Sequence, residues 1–249
     1  MTINNHFDTA SQQKLGRLLR SQADRPSEIT TDDIHLYART LARIENALVV
    51  VSDLRNGTSR IFAGELARSL GLDDYKSENS IWERKILSLM SEHEREEKVI
   101  AELRFFHHLR HLPAQKRRHH FLMAKLRFNN SMDVLHRMYY IFDETAQSIL
   151  YAVCIYSPLS FDFAGNSFAV NSLTGIREEL TSTANNAVIS KRERQILQLI
   201  ASGKKSIEIA EILSISKNTV SRHRQEILAK LQVKNSIEAC RLATRMGLI

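Results

Sequence analysis

Four helix-length patterns, each with its own start or stop signal, crowd into about sixty C-terminal residues, and such spacing admits little but a bundle of short helices. The run "SKRERQILQLIASG" opens on Ser190 with Glu193 three residues later, the reciprocal pair of a capping box. Ile196, Leu199 and Ile200 then fall on one face, and Gly203 supplies a left-handed stop. "SIEIAEIL" repeats the device from Ser206, with Ile209, Ile212 and Leu213 as its apolar side. "SKNTVSRHRQEILAKL" follows after only a short turn, and "NSIEACRLATRM" makes a fourth helix. Two helices joined so tightly predict a helix-turn-helix module over residues 187–249.

The third helix, predicted over 217–231, has an unusual outward face. With Ser216 as N-cap and steps of about 100° per residue, Val220, Ile227 and Leu231 cluster on one side with His223 at the margin. Asn218, Ser221, Arg222 and Gln225 lie opposite. These side chains are hydrogen-bonding forks rather than plain charges: Arg pairs bidentately with guanine, and Asn or Gln with adenine, in a major groove that admits a helix. Lys217, Arg224 and Lys230 sit toward the flanks, where their stems pack and their cationic heads reach phosphate. The charge distribution agrees. Residues 187–249 hold 12 Lys or Arg against 5 Asp or Glu, which is the whole formal net charge of +7, while residues 1–186 carry 23 of each sign. A segment with all the positive surplus is the footprint of a polyphosphate partner.

Residues 189–239 resemble the LuxR-type (GerE-like) helix-turn-helix domain of bacterial transcription regulators. The resemblance rests on Arg192 and Glu193, on "LIASG", on "EIAEIL" followed by "IS", on "TV", on His223 and on "KL" before Val233. It implies that the helix from Lys217 reads double-stranded operator DNA, with Ser221, Arg222 and Gln225 after "TV" toward the groove, beside Asn218. Phosphate contacts are expected from Lys204, Lys205, Lys217, Thr219, His223 and Arg224. Ser221 stands where Lys is frequent in the family, so the base preference is this chain's own. The family's fourth helix commonly supplies a dimer contact, for which Ile237, Cys240 and Leu242 are the candidates; completing the local core is the alternative role for them.

Upstream the texture changes to mixed α and β, so the fold class expected for the whole chain is α+β. Residues 31–46 read as a helix with Ile34, Tyr37, Leu41 and Ile44 on one face. "ALVVVSDLRNGTSRIFAG" reads as a β-hairpin turning at "RNGT" in a type I′ turn, because Asn-Gly between apolar runs favours that geometry. Helices are expected near 64–71 and 80–112. Residues 119–157 alternate apolar and polar in three runs broken by "NNSM" and "DETAQS", which predicts a three-stranded antiparallel meander. This order over residues 45–157 resembles a PAS-like fold, and "SEHER" at 91–95 is similar to the PAS segment His-Pro-Asp-Asp-Arg, without its Pro and Asp pair. The resemblance implies small-molecule sensing, cofactor binding or dimerisation. The expected organisation is therefore a tail or helix at 1–30, a PAS-like antiparallel sheet with helices at 31–170, a linker at 171–186 that includes "TSTANN", and the helical domain.

Several features point elsewhere. Asp53, at the end of "VVVSD", sits where a phosphorelay receiver carries its phosphoacceptor, but the meander contradicts the alternating β/α units a receiver needs, and a turn role is the alternative. A module that uses its helical tail for protein assembly rather than DNA is the other rival. "FFHHLRHLPAQKRRHH" offers His107, His111, His119 and His120 as metal ligands, but without a nearby Cys it reads better as a cationic helix end and loop. No metal, no cofactor and no enzyme activity is expected, since "GNSFA" at 165 lacks the second Gly of a nucleophile elbow and neither HExxH nor a phosphate-binding Gly loop occurs. Cys154 and Cys240 read as two reduced thiols. The longest apolar run, residues 47–51, is far short of the roughly 20 residues of a membrane span, and the N-terminus lacks a signal pattern. A cytoplasmic homodimer without membrane contact, open to a small-molecule signal, is the expectation.

Overall fold

The computed structural model describes Gln12, Leu15, Gly16, Leu18 and Leu19, residues 30–180, 189–231, 233, 235–245 and 248–249. The "TSTANN" segment lies outside them. The chain divides into two compact units whose main bodies are Leu15–Leu180 and Thr181–Ile249.

In the first unit, helix α1 (Thr31–Ile44) begins where the Thr30 hydroxyl accepts from the Asp33 amide at 3.2 Å. Strands β1 (Leu48–Asp53) and β2 (Thr58–Ala63) follow, then α2 (Glu65–Ser69), β3 (Ser77–Glu78) and α3 (Arg84–Leu87). The long α4 (Glu92–His111) and the short α5 (Ala114–Arg117) lead into β4 (His120–Phe128), β5 (Met132–Phe142) and β6 (Ile149–Pro158), and the unit closes with β7 (Ser167–Asn171) and β8 (Arg177–Glu179). These strands form one sheet in the order β3-β2-β1-β6-β5-β4-β7-β8, with antiparallel neighbours throughout. A receiver's parallel sheet is therefore absent from these strands. The expected meander is β4 to β6, and Asp143, which accepts from the amides of Gln147 and Ser148 at 3.0 and 3.2 Å, closes its second turn.

α1 covers one sheet face. Ile34, Ala38 and Ala42 pack on Val49, Val51, Val153 and Ile155. Of the expected helix face, Ile34 is buried and Leu41 packs against this cluster, but Tyr37 and Ile44 are 68% and 74% exposed. The small residues Ala38 and Ala42, each 1% exposed, face the sheet instead, and the backbone comes close at the end of the helix. A Cβ on Gly64 would lie 2.2 Å from the Ala42 carbonyl oxygen and 2.7 Å from that of Ala47, so only glycine fits. α4 packs on β4 and β7 and is buried on nearly every side, including Lys98 and Glu102.

Four other expectations change. The hairpin loop is Leu54–Gly57 with only Gly57 at positive φ (67°), so it is not the two-residue type I′ turn, which needs positive φ at both centres. Asp53 decides this: its Oδ1 accepts from the amides of Arg55 and Asn56 at 2.9 and 3.2 Å, which makes it a turn former. The helix expected over 80–112 breaks between α3 and α4, because Ser91 caps the Glu94 amide and restarts the helix. β3, β7 and β8 extend the sheet beyond the five expected strands. The boundary expected at residue 170 falls inside β7, and the sheet runs on to Glu179.

The second unit is all-α: α6 (Lys191–Ala201), α7 (Ser206–Ile212), α8 (Lys217–Leu231) and α9 (Ser236–Arg245). Its core contains Ile196, Leu197, Ile209, Val220, Ile227, Leu231, Ala239, Leu242 and Leu248, each at most 3% exposed. No described helix of the chain is long and apolar enough to cross a membrane.

Candidate nucleic-acid interface

The helical unit starts at the capping box read from the sequence. Ser190 Oγ accepts from the Glu193 amide at 3.2 Å, and the Glu193 carboxylate accepts from the Ser190 amide at 2.6 Å. Glu193 is 2% exposed and also receives Lys230 Nζ at 2.8 Å, which ties α6 to the end of α8. Burial pushes its pKa up, but the hydrogen bonds from Lys230 and Ser190 outweigh burial and hold the carboxyl below its ordinary value. Lys230, 46% exposed, thus commits its ammonium to a bond within the unit. Arg192 donates to the Leu213 carbonyl at 2.7 Å and ties α6 to the end of α7.

Two similar stops shape the helix-turn-helix. After α6, Gly203 at φ 82° lets the Gly203 and Lys204 amides donate to the carbonyls of Ile200 and Leu199, a Schellman motif. After α7 the same pattern is built on Ser214 at φ 51°, with the Ser214 and Ile215 amides donating to Glu211 and Ala210. Ser216 then caps α8, its Oγ accepting from the Thr219 amide at 3.0 Å. The N-cap of α7 is Lys205, not the expected Ser206. Ser206 instead holds α8: its Oγ accepts from Arg224 at 2.7 Å, while the other arm of Arg224 donates to Ser236 Oγ at 2.9 Å.

Val220, Ile227 and Leu231 are at most 1% exposed, and each contributes roughly 1.5–3 kcal/mol by leaving water. Their burial fixes the rotation of α8 and leaves Asn218, Ser221, Arg222 and Gln225 exposed together on the opposite side. Arg222 is 70% exposed and pairs only at 3.4 Å with Glu226, a contact easily exchanged for a ligand. Such a row of forks on a rigid helix fits the edges of base pairs.

The residues expected on phosphate divide into two sets. Lys204, Lys205 and Lys217 are exposed around the turn ends. Thr219 is half-buried, with its Oγ1 2.8 Å from Ser216 Oγ, and His223 is half-buried, with Nδ1 3.0 Å from Glu226. Arg224 departs furthest from the expectation, because its guanidinium bridges α7 and α9 instead of standing free. The sequence shows no signal for this, since both serine acceptors are distant in the chain. The dimer candidates also separate. Leu242 is 3% exposed and belongs to its own unit's core, which corrects its assignment; Cys240 is half-buried, its thiol 3.8 Å from the Leu197 carbonyl, and Ile237 is 68% exposed. Burial pushes the Cys240 thiol up in pKa, with Arg224 pulling the other way.

In the first unit, the histidine-rich segment does not assemble a metal-binding set among the described residues. His107 is buried against the edge of Phe106, and His111 is exposed.

Residues 187–243 match the family described as bacterial regulatory proteins, luxR family (GerE), so the second unit is a LuxR-type helix-turn-helix domain. Curated relatives match over the same end. The uncharacterised response regulatory protein YgeK of Escherichia coli (strain K12) is 49% identical over 59 residues, which are 24% of this chain and 40% of that protein. The HTH-type quorum-sensing regulator RhlR of Pseudomonas aeruginosa is 47% identical over 66 residues, which are 26% of this chain and 27% of that protein. The chain thus spans less than half the length of the curated relatives it matches. Among solved structures, the phage VqmA-DPO complex aligns over 88% of this chain and 91% of that chain at 14% identity and a TM-score of 0.30.

Proposed function

We propose that this chain is a sequence-specific DNA-binding transcriptional regulator. The observation that carries the reading is the exposed row Asn218, Ser221, Arg222 and Gln225 on α8, held outward by three residues that are at most 1% exposed, within a LuxR-type domain. α8 enters the major groove, and this row reads base edges. Lys204, Lys205 and Lys217 anchor the domain on phosphates, and counterion release makes affinity strongly salt-dependent. The first unit acts as a PAS-like sensory or dimerisation domain open to a small-molecule signal. The protein works in the cytoplasm as a homodimer on an inverted repeat, with Ile237 and Cys240 the remaining C-terminal candidates for the subunit contact.

The test is selection of bound sites from random duplex DNA by the full-length protein and by Arg222→Ala. The expected result is an inverted repeat whose preference at one base position per half-site relaxes in the variant, at about 1–3 kcal/mol. Equal loss on every sequence would place Arg222 on the backbone instead. Recovery of no motif by either protein would favour the assembly role for the helical unit.

A further inference from the structure

The interior of the first unit holds ionisable groups that DNA binding does not use. Glu83, Lys98, Glu102 and His136 are 2%, 1%, 3% and 0% exposed. Lys98 Nζ donates to Glu102 Oε1 at 2.6 Å, which matches one cation to one carboxylate and leaves the negative charge of Glu83 beside them unmatched. Glu83 Oε2 and both ring nitrogens of His136 have no hydrogen-bond partner, a state that is unfavourable for a buried polar atom. A cavity of about 20 Å³ opens beside Glu83, Lys98 and Glu102, with Tyr140 and Cys154 also lining it; His136 is not part of its wall. It holds one water-sized body and excludes an organic molecule.

The fold gathers three different donors at this point. α4 presents Glu102 one turn after Lys98. In the β5–β6 register His136 stands opposite Tyr156 and Cys154 opposite Met138, so both project on the sheet face toward α4. The His136 ring lies on Tyr156 at 4.8 Å between centroids and 9° between planes, which fixes its orientation. One ligand atom each from Glu102, His136 and Cys154 lies within 4.8 Å of the others.

We propose that Glu102, His136 and Cys154 are the protein ligands of a buried site for a borderline divalent transition-metal ion, the class of Zn²⁺ and Co²⁺. The mixed oxygen, nitrogen and sulfur set selects this class over Mg²⁺ and Ca²⁺, which take oxygen ligands. Three protein ligands leave one position of a tetrahedral ion for a water. On binding, the Cys154 thiol loses its proton to solvent as the sulfur–metal bond forms, with no change of oxidation state. The ion and the thiolate together add one positive charge, which balances Glu83. The hydrogen bond from Lys98 orients the Glu102 carboxylate, as outer-shell partners of metal ligands do. The site is independent of the DNA-binding reading and stands or falls without it.

The test is titration of chelator-treated full-length protein with Co²⁺, read by thiolate-to-cobalt charge-transfer absorption and by displacement with Zn²⁺. The chain has only two cysteines, so the Cys240→Ser variant, which leaves the first unit intact, attributes the band by itself. Expected are saturation at one ion per chain, a band retained in Cys240→Ser and lost in Cys154→Ser, and affinity weakened at least about tenfold by His136→Gln or Glu102→Gln. Absence of the band in the unmodified protein, or its loss in Cys240→Ser, would overturn the site.

Discussion

Two ion pairs in this molecule have the same spacing along a helix and opposite surroundings. On α4, Lys98 and Glu102 meet at 2.6 Å with 1% and 3% of their side chains exposed; on α8, Arg222 and Glu226 meet at 3.4 Å with 70% and 42% exposed. The sequence writes both as a cation and a carboxylate four residues apart. Water makes the difference. An exposed pair is screened and worth a few tenths of a kcal/mol, so either partner is free to leave for a ligand. In the buried pair neither group has anywhere else to go, and losing one strands the other in a medium that penalises its charge. Burial pushes the Glu102 carboxyl up in pKa against the pull of Lys98, while on Lys98 itself burial is outweighed by Glu102 and Glu83, which hold it protonated. The first unit thus locks its charge inside, and the second displays it.

The largest effect should come from breaking the locked pair. Lys98→Met leaves Glu102 and Glu83 without their cation and is expected to cost about 3–5 kcal/mol. Urea unfolding followed by the fluorescence of Trp82, the chain's single tryptophan and a neighbour of the cavity, reads this directly. Adding Glu102→Leu should recover much of the loss. A loss under about 1 kcal/mol for Lys98→Met would mean that water reaches the pair and the contrast with α8 is false.

Arg222→Ala probes the displayed pair and should move stability by less than about 0.5 kcal/mol while relaxing preference at one base position. A stability loss comparable to that of Lys98→Met would show Arg222 to be structural. Arg224→Met tests a cation of α8 that bridges two other helices of its own unit. Loss of its bonds to Ser206 and Ser236 should cost about 1–2 kcal/mol of stability. The logarithmic dependence of DNA affinity on salt should keep its slope. A slope lower by about one would return Arg224 to the phosphate contacts.

Helical period and caps made the second unit legible. Val220, Ile227 and Leu231 share a face because of their spacing, and Ser190 with Glu193 announces a start that the structure contains. What local pattern could not carry was contact between distant segments. The guanidinium of Arg224 finds hydroxyls 18 and 12 residues away. β7 pairs with β4 across about forty residues, so its short run offered no hairpin signal. On α1 the spacing found Ile34 and Leu41 but also pointed to Tyr37 and Ile44, whose places against the sheet are taken by Ala38 and Ala42. The first unit's buried cluster was hidden most completely. Lys98 and Glu102 look like a solvated pair, and nothing along the chain joins them to His136 and Cys154. Three-dimensional proximity makes that candidate site; periodicity made the DNA-reading one.

Glu193 combines the two cases: a buried carboxylate whose cationic partner, Lys230, is 46% exposed. Burial pushes its pKa up, and the hydrogen bonds from Lys230 and Ser190 more than reverse this, so the folded value lies below the group's ordinary one. The unfolded chain therefore binds the proton more readily than the folded one, and the linked stability is fully present above the unfolded value of about 4.3. It is lost as pH falls through the lower folded value. Hydrogen exchange at the Leu197 and Val220 amides of the full-length protein, followed downward from neutral pH, should show protection of the helical unit falling in that window. Lys230→Met should flatten the fall by raising the folded pKa toward the unfolded one. Ser190→Ala should lower protection by about 1 kcal/mol even at neutral pH, where no proton is taken up, because it removes a cap rather than a charge partner. If Lys230→Met leaves the acid limb unchanged, the depression of Glu193 comes from the backbone cap alone, and the exposed lysine contributes no more than Glu226 does to Arg222.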